Sequence, residues 1–407
     1  MRYNTNRARE MTHTKGAFSM NKLTQRRRRP ASWLNLHELA ALTSAFLRKN
    51  TVFVIALAAA AITSIIVPPD MEYISYFDPR TLTCLFCTLA VICALRRIHF
   101  FSAAAEKIIS LTSNLRNSVI ALVYITFIGS MLIANDMALI TFLPLGFIVL
   151  ERTNNQKYMA YVFILQNIAA NLGGMVTPFG NPQNLYLYSY FNIPTGEFML
   201  TMLPPFVLAV TLITACCFAV PKAALVYDGE THAMPKARLT LYLALFALAI
   251  VVVFRVIPYQ IGLILIPLVM MFADRKSLAD VDYALLGTFV CFFIFSGNVS
   301  RMDAVRVVME TLLEKSTLLF SSLSCQFISN VPSAVLLSKF TDNYRELLYG
   351  VNVGGCGTLI SSLASLITFR EYLSHNPDGV KKYLLLFSAF NFAFLGILLG
   401  ACALLLL

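Results

Sequence analysis

The stretch SMLIANDMALITFLPL, residues 130–145, places an asparagine and an aspartate, Asn135 and Asp136, in the middle of an apolar run. A second stretch, CQFISNVPSAVLLSKF, residues 325–340, repeats the form: an apolar approach, a small residue, Asn330, and then small and apolar residues. Polar groups in an apolar environment are costly unless they are satisfied, so a polar centre of this kind marks a position with a specific role. The fold that we predict from the sequence is built on these two stretches.

The composition indicates a membrane protein. The chain has 407 residues, of which 58% are hydrophobic and 13% charged, and its mean hydropathy is +0.70. Soluble domains carry about 25% charged residues. The apolar runs are continuous rather than alternating, which favours membrane-spanning helices over a β-barrel. The predicted fold class is therefore an all-α, polytopic helical membrane protein. The candidate spans are 51–67, 81–95, 158–190, 198–220, 239–257, 259–273, 283–299, 346–369 and 383–407.

Two further regions, 117–150 and 316–340, fit poorly as single spans, because each consists of two apolar arms around a polar tip. The second region is too short to cross a bilayer twice. We predict that each is a re-entrant hairpin, which enters the membrane, turns at mid-depth and leaves on the same side. With this topology most lysines and arginines fall on the cytoplasmic side, in agreement with the positive-inside rule.

The N-terminal segment, residues 1–49, is strongly basic, with four consecutive arginines at 26–29. A basic run before a first span is typical of cytoplasmic retention and of contact with anionic lipid, so we do not expect a nucleic-acid partner despite the net charge of +11. The nine cysteines are scattered, and Cys84 and Cys87 form a C-x-x-C inside an apolar helix without a second pair. We therefore expect packing roles for them, and neither a metal nor another cofactor.

A second pair of motifs follows the hairpins. The segments QNIAANLGGMVTPFGNPQNL (166–185) and YGVNVGGCGTLISSLASLI (349–367) both contain Asn-x-Gly-Gly-x-x-Thr, and polar residues fall in register beyond the threonine. Two motifs that recur in the same order on oppositely directed segments predict a duplication with inverted topology, which is a recurrent architecture of secondary transporters. The repeat motifs are Asn171, Gly173, Gly174 and Thr177 in the first half, and Asn352, Gly354, Gly355 and Thr358 in the second.

The residue types of these motifs suit a broken helix. Paired glycines, followed in the first half by Pro178, interrupt helical hydrogen bonding, and the freed backbone groups are tolerated only where protein or a water-filled site satisfies them. The exposed helix ends carry partial charges that bind ions. Three alternatives stay open: Gly-Gly is also common at close helix contacts, Asn181 and Asn184 are also good helix caps, and the hairpin asparagines also suit turns.

The predicted domain organisation follows from these elements. It consists of a basic cytoplasmic segment 1–49, a first transmembrane repeat 50–220 with hairpin 117–150 and broken helix 158–190, a cytoplasmic linker 221–238, and a second repeat 239–407 with hairpin 316–340 and broken helix 346–369. Two tips that meet two broken helices would form one central site.

The motifs ANDMALITFLPL, NLGGMVTPFGNPQNLYLY, SNVPSAVLL and NVGGCGTLISSLASLI resemble the ion transporter superfamily, and within it the branch of arsenite permeases, sodium/proton antiporters and citrate-transporter-like proteins. The resemblance covers about residues 51–407. It implies two inverted repeats, an elevator-like movement of a transport part against a scaffold part, and a homodimer. Carboxylate-carrying relatives have Ser-Asn-Thr at each tip, whereas this chain has Ala-Asn-Asp at 134–136 and Ser-Asn-Val at 329–331.

The motifs and the resemblance together define the candidate site. The substrate- and ion-binding candidates are Asn135, Asp136, Thr177, Pro178, Asn181, Asn184, Ser329, Asn330, Thr358 and Ser362. The helix-break candidates are Gly173, Gly174, Gly354 and Gly355. The candidates for Na⁺ ligands are Asn135, Asp136 and Asn330.

Asp136 is the one acid that this topology places at mid-depth. A carboxylate inside a membrane costs roughly 2.5–3.5 kcal/mol on insertion scales and is a functional candidate by default. Bound to H⁺ or Na⁺, it could couple an ion gradient to transport. The alternative is that Asp136 only caps the helix that returns from the tip.

These observations predict a secondary active transporter of a small anion, an oxyanion or carboxylate or its neutral acid, coupled to H⁺ or Na⁺. The alternative is a Na⁺/H⁺ antiporter on the same scaffold. A P-loop and a hydrolytic constellation are absent from the sequence, which argues against an enzyme. The expected partners are the substrate and the lipid of a bacterial inner membrane, with the N-terminus in the cytoplasm.

The sequence gives one direct prediction. The substitution Asp136→Asn should abolish proton-linked transport while the protein remains folded in the membrane, because the amide keeps the size of the side chain but does not titrate. The pH dependence of transport in vesicles measures this effect. Transport by the variant with an unchanged pH dependence would contradict a coupling role.

Overall fold

The computed structural model describes residues 50–223 and 235–407, and residues 55–407 form one compact unit. The predicted basic segment 1–49 and most of the predicted linker lie outside the described residues. The described chain is helical throughout, without strands, as the apolar composition predicted.

The first half contains nine α-helices between residue 51 and residue 218. In chain order they are α1 (Thr51–Ile66), α2 (Tyr73–Tyr76), α3 (Pro79–Arg97), α4 (Phe100–Ser110), α5 (Leu115–Ile133), α6 (Asn135–Arg152), α7 (Met159–Gly173), α8 (Pro182–Tyr190) and α9 (Thr195–Phe218). Each span predicted in this half overlaps one long helix, with ends that differ by up to three residues, apart from the broken span 158–190, which contains α7 and α8.

The second half continues from residue 236 to residue 404. Its α-helices are α10 (Lys236–Val253), α11 (Tyr259–Ala273), α12 (Arg275–Ala279), α13 (Tyr283–Ser300), α14 (Asp303–Lys315), α15 (Thr317–Ile328), α16 (Asn330–Leu337), α17 (Tyr344–Val353), α18 (Leu363–His375) and α19 (Val380–Leu404). From α13 onwards the order matches that of α3 to α9: a long helix, a connecting helix, a hairpin, a broken helix and a second long helix. The opposite orientation of the two halves in a membrane stays a prediction.

Seven helices in the described ranges are long and apolar enough to cross a membrane, namely α3, α5, α7, α9, α10, α13 and α19. The first arm of the first hairpin, α5, is among them, so for this hairpin the re-entrant path stays a prediction. The arms of the second hairpin have 12 and 8 residues. At 1.5 Å per residue neither spans the apolar core of about 30 Å.

One set of helices is packed around α3, and we call it the framework group. It consists of α2, α3, α10, α11 and α13. Within it α3 packs against α10 and α11, which also contact each other, and α13 packs against α2 and α3. Charged side chains fasten its ends: Arg97 bridges Asp274 at 3.2 Å and Asp280 at 2.6 Å. At the other end Arg301 contacts Asp70 at 2.7 Å, and this hydrogen bond holds the pKa of the Asp70 carboxyl below its ordinary value.

The helices of the two hairpins and the two breaks, with α9 and α19, form a second set, which we call the hairpin group. In it the hairpin α5–α6 packs on α7, the hairpin α15–α16 packs on α17, and α18 lies against both α6 and α7. The group consists of α5 to α9 and α15 to α19. The two groups meet where α8 packs on α3 and where α16 packs on α13. The broken helices and both hairpins therefore lie in one packed unit, as a shared site requires.

Four helices lie outside the spans and hairpins that the sequence predicted, namely α2, α4, α12 and α14. The sequence analysis treated the residues of the two longer ones, α4 and α14, as charged flanks, and each of these immediately precedes a hairpin. Helix α4 buries Phe101, Ala105 and Ile109, which are spaced four residues apart on one face. That period was readable in the sequence, but the charged residues between the apolar positions hid it.

A glycine contact in the framework group gives a stability prediction. A Cβ atom on Gly297 of α13 would lie 2.4 Å from the nearest ring carbons of Tyr76, a buried side chain. We expect Gly297→Ala to lower the free energy of unfolding by about 1–3 kcal/mol, because the ring must shift in a packed interior. Thermal unfolding in detergent measures the change.

Gly396→Ala in α19 is the matched control, because open space surrounds the position where its Cβ would lie. We expect this variant to be neutral or more stable by up to about 1 kcal/mol, since alanine favours helix over glycine. Equal melting temperatures for the two variants would contradict the close contact of Gly297 and Tyr76.

Candidate functional site

The two hairpin tips have the same backbone geometry. Ala134 has φ 66° and ψ 151°, and Ser329 has φ 75° and ψ 160°. In each tip the following asparagine turns its side-chain oxygen back to its neighbour: Asn135 Oδ1 accepts from the Asp136 amide at 3.0 Å, and Asn330 Oδ1 accepts from the amide of the next residue at 2.9 Å. The Ala-Asn and Ser-Asn dipeptides thus specify one type of tip, which begins a helix without a conventional side-chain cap.

The two helix breaks are held by equivalent hydrogen bonds. The first helix ends at Gly173 and the chain resumes as α8 at Pro182. In the first break the Thr177 hydroxyl donates to the Met131 carbonyl at 3.1 Å, and in the second the Thr358 hydroxyl donates to the Gln326 carbonyl at 3.0 Å. In both halves the motif threonine therefore ties the break to the first arm of its own hairpin.

The motif glycines also allow close helix contact. A Cβ on Gly173 would lie 2.4 Å from the Phe127 carbonyl oxygen in α5, and a Cβ on Gly354 would lie 3.0 Å from Cys325 in α15. The interpretation as packing residues, which the sequence left open, holds together with the interpretation as helix breaks. Each first glycine lets the broken helix approach its hairpin arm.

Asn171 is the centre of the hydrogen-bond network. Its Oδ1 accepts from Asn135 Nδ2 at 3.2 Å and from Ser362 Oγ at 2.8 Å, and its Nδ2 donates to the Gly355 carbonyl at 3.5 Å. Its own carbonyl accepts from Asn181 Nδ2 at 3.3 Å. One buried asparagine therefore joins the first tip, the first break and the second break, through its side chain and its backbone carbonyl.

A second contact between the halves lies beside this network. Asn352 Nδ2 donates to Asn184 Oδ1 at 2.6 Å, and Asn184 Nδ2 donates to the carbonyls of Gly174 and Met175, both at 3.2 Å. Asn184 thus satisfies carbonyls that the first break frees. It lies inside α8, so the alternative of a helix cap does not apply to it.

The second tip joins the network through the backbone. The Asn330 amide donates to the Ser361 carbonyl at 3.0 Å, and the Ser329 hydroxyl donates to the same carbonyl at 3.3 Å. The Ser361 hydroxyl in turn donates to the Gly355 carbonyl at 2.9 Å. Both tips therefore contact the break of the second half, the first through Asn171 and the second directly.

Asp136 differs from the other polar residues of the tips. Its side chain is half-buried, and its Oδ1 is buried without a hydrogen-bond partner among the described residues. The N-cap position of α6 is held by Ala134, and a side-chain capping hydrogen bond is absent from the helix start in the described residues. The next residue, Met137, packs on the framework at Leu89, Ala90 and Val281. The first tip thus presents an unpaired carboxylate oxygen at the border between the two groups.

The structure separates the predicted site residues by role. Three of them contact Asn171 directly, namely Asn135, Asn181 and Ser362, and the amide of Asn330 donates to the Ser361 carbonyl. The side chains of Thr177, Asn184 and Thr358 bond to other parts of the protein. Pro178 is buried in the first break. A ligand role for each of them stays a prediction.

Several residues of the network were not among the binding candidates from the sequence, although two of them had been named as motif residues. They are Asn171, Gln326, Asn352 and Ser361. Asn171 and Asn352 are the first residues of the repeated motif, so their recurrence was a signal that could have found them. Gln326, which donates to the carbonyls of Gly354 and Cys356, has no counterpart in the repeat pattern.

Four helices begin at this network. Helices α6 and α16 start at the asparagines of the tips, and α8 and α18 start after Asn181 and Ser362. Each helix N-terminus carries about half a positive charge from its aligned peptide dipoles. An arrangement of this kind favours a bound anion, and the carbonyls and carboxylate beside it are suited to a cation.

A cavity of about 710 Å³ lies away from the tips, beside the exit of the second hairpin. Charged side chains line it, including Arg306, Glu314, Lys315, Lys339 and Asp342. Its lining includes none of the predicted site residues. None of the residues of the Asn171 network lines it either, so the cavity is separate from the network.

The chain is similar in sequence to a known family and to known proteins. A family described as citrate transporter matches residues 39–344. An uncharacterised transporter of Methanocaldococcus jannaschii is 33% identical over 319 residues, which are 78% of this chain and 87% of the relative. The inner membrane protein YbiR of Escherichia coli is 28% identical over 279 residues, 67% of this chain and 74% of the relative.

The positive φ angles of the tips give a second stability prediction. The conformation of Ala134 and Ser329 is nearly exclusive to glycine and costs about 1–3 kcal/mol for other residues. We expect Ala134→Gly and Ser329→Gly each to raise the free energy of unfolding by about 1 kcal/mol, after the entropic cost of glycine is deducted. Thermal unfolding in detergent measures this gain.

The control is Ala138→Gly, the same substitution at a buried position inside α6. Glycine in a helix interior costs about 1 kcal/mol, so this variant should melt at a lower temperature. If the tip variants also melt lower than the wild type, the tips do not have the strained backbone described above.

Proposed function

The chain belongs to the citrate transporter family. We propose that this membrane transporter is a secondary active transporter, which uses an H⁺ or Na⁺ gradient to move a small anion. The anion is an oxyanion or a carboxylate, or its neutral acid. The observation that carries the proposal is the Asn171 network, at which two hairpin tips and two helix breaks meet.

The helix N-termini support an anionic substrate. Four of them begin at the network, and their partial positive charges match carboxylate or oxyanion oxygens. The asparagine and serine side chains there supply donors and acceptors without a fixed charge. A site of this kind binds an anion and still releases it, which transport requires. The description of the family as citrate transporter makes carboxylates the first class to test.

The unpaired oxygen of Asp136 supports coupling to a cation. A buried carboxylate without a partner is costly, and binding of H⁺ or Na⁺ removes that cost. If the cation binds together with the anion, its charge also offsets the repulsion between Asp136 and the substrate. The anion then binds well only when the cation is bound at Asp136, and this dependence couples the movement of the anion to that of the cation.

A Na⁺/H⁺ antiporter is the second candidate, and the same oxygen favours it. An antiporter needs one carboxylate that binds either Na⁺ or H⁺, and Asp136 at the first tip meets this need without any anion. The two candidates differ in whether an anion is required for proton movement.

Inside-out vesicles with an imposed proton gradient and a pH-sensitive dye separate the candidates. Citrate, other carboxylates, arsenite, Na⁺ and Li⁺ are added one at a time. Collapse of the gradient with one anion or acid supports the proposal, and collapse with Na⁺ or Li⁺ alone supports the antiporter. For Na⁺-coupled transport, uptake of labelled anion in an imposed Na⁺ gradient is the measurement. A lack of response in every arm would contradict the proposal.

A variant pair links transport to the network. We expect Asn171→Ala to reduce transport at least about tenfold, because it removes an acceptor from the tip and from the second break. Asn298→Ala is the matched control: Asn298 is an equally buried asparagine that bonds Thr63 and Ser64 in another part of the chain. Equal losses in the two variants would show that Asn171 acts only through stability.

A further inference from the structure

A single arginine fastens the framework group to the hairpin group. Arg255 lies in the turn between α10 and α11, where its backbone has φ 61°. Its Nη1 donates to Asn192 Oδ1 at 2.8 Å and to the Ile193 carbonyl at 3.2 Å, and its Nη2 donates to the Tyr188 carbonyl. Its guanidinium also lies 3.9 Å from the centre of the Tyr188 ring.

The position of this arginine suits its charge. Tyr188 lies in the last turn of α8, and Asn192 and Ile193 follow the end of the helix, where the Tyr188 carbonyl also accepts from the Ile193 amide at 3.2 Å. A helix C-terminus carries partial negative charge, so a guanidinium there makes charge-assisted hydrogen bonds. The planar fork of arginine allows several of these bonds at once, which a lysine cannot reproduce.

The neighbouring residue extends the contact to the site. Phe254, directly before Arg255, packs edge-on against Phe179 with 5.7 Å between ring centres. Phe179 lies in the first helix break, between Thr177 and Asn181. The turn after α10 therefore contacts both the break and the far end of the helix that follows the break.

Other contacts between the groups are less directional. Tyr186 of α8 packs against Phe293 of α13 with 5.6 Å between ring centres, and Arg96 lies 3.9 Å from the sulfur of Met137. Aromatic and thioether contacts of this kind can slide, whereas several hydrogen bonds to fixed carbonyls must break together.

We propose that Arg255 is a positioning residue for transport, which clamps α8 to the framework and thereby sets the balance between the two access states. The proposal rests on the proposed function, because a secondary transporter must expose its site alternately by moving one helix group against the other. The clamp exists in the arrangement described here and breaks when the hairpin group moves. Its loss shifts the population towards the other arrangement.

The first test measures the clamp without any substrate. Cysteines replace Phe179 and Phe254, and a protease site is inserted in the linker 224–234, which separates the two positions along the chain. A short thiol cross-linker then joins the two cysteines, and so keeps the two protease fragments together, only when the turn after α10 contacts the first helix break. The parent chain without the added pair gives the background, because eight of its nine cysteines are buried.

We expect Arg255→Ala to lower the cross-linking rate about tenfold or more, the effect of losing charge-assisted hydrogen bonds in a two-state equilibrium. Arg255→Lys should give an intermediate rate. Arg301→Ala is the matched control, because Arg301 makes comparable contacts to Asp70 and Tyr76 within the framework group. An unchanged rate for Arg255→Ala, or an equal decrease for Arg301→Ala, would overturn the proposal.

The second test uses labelled citrate in vesicles of both orientations. A shifted population lowers the apparent KM on one face of the membrane and raises it on the other, because apparent affinity scales with the fraction of competent state. A structural lesion instead weakens transport from both faces, and this result would also overturn the clamp. If the wild type moves neither citrate nor any other probe, the proposed function fails, while the cross-linking result still decides the contact.

Discussion

The constraint behind this structure is that backbone groups freed by a helix break in an apolar interior need new partners. Asn171 meets much of this need, because its carboxamide bonds Asn135, Ser362 and the Gly355 carbonyl, and its own carbonyl is bonded by Asn181. Removing the carboxamide would take away the acceptor of Asn135 Nδ2 and of Ser362 Oγ, at about 1–3 kcal/mol each. The polar centre is therefore cooperative, and its members hold one another in place.

The same constraint explains how the architecture supports transport. Helix breaks place N–H groups and carbonyls in the interior, and the hairpin tips bring two more helix starts to the same place. The partners are neutral amides and hydroxyls, which supply both donors and acceptors without a fixed charge. Asp136 adds the one group there whose charge depends on a bound cation. In the proposed function, binding and ion coupling are thus assigned to one network.

The sequence predicted much of this fold, and its failures have physical causes. The hairpins and breaks were predictable because polar residues and paired glycines interrupt apolar runs at repeated positions. Helices α4 and α14 were missed because charged residues masked their short apolar faces. The roles of Thr177, Asn184 and Asn171 depend on which carbonyls lie opposite them, and no local pattern encodes that. The contacts of Arg255 join segments about 60 residues apart along the chain, so only the folded structure shows them.

The central claim is that the two halves build one site at Asn171, and a double-mutant cycle tests it most directly. Substrate affinity is measured for Asn171→Ala, Ser362→Ala and the double variant, with the anion identified by the vesicle assay. The account predicts that the double variant loses less affinity than the sum of the single losses, by about 0.5–3 kcal/mol, because each substitution already breaks the shared hydrogen bond. Losses that add within about 0.3–0.5 kcal/mol would contradict it, since they would mean that the halves contribute to binding independently.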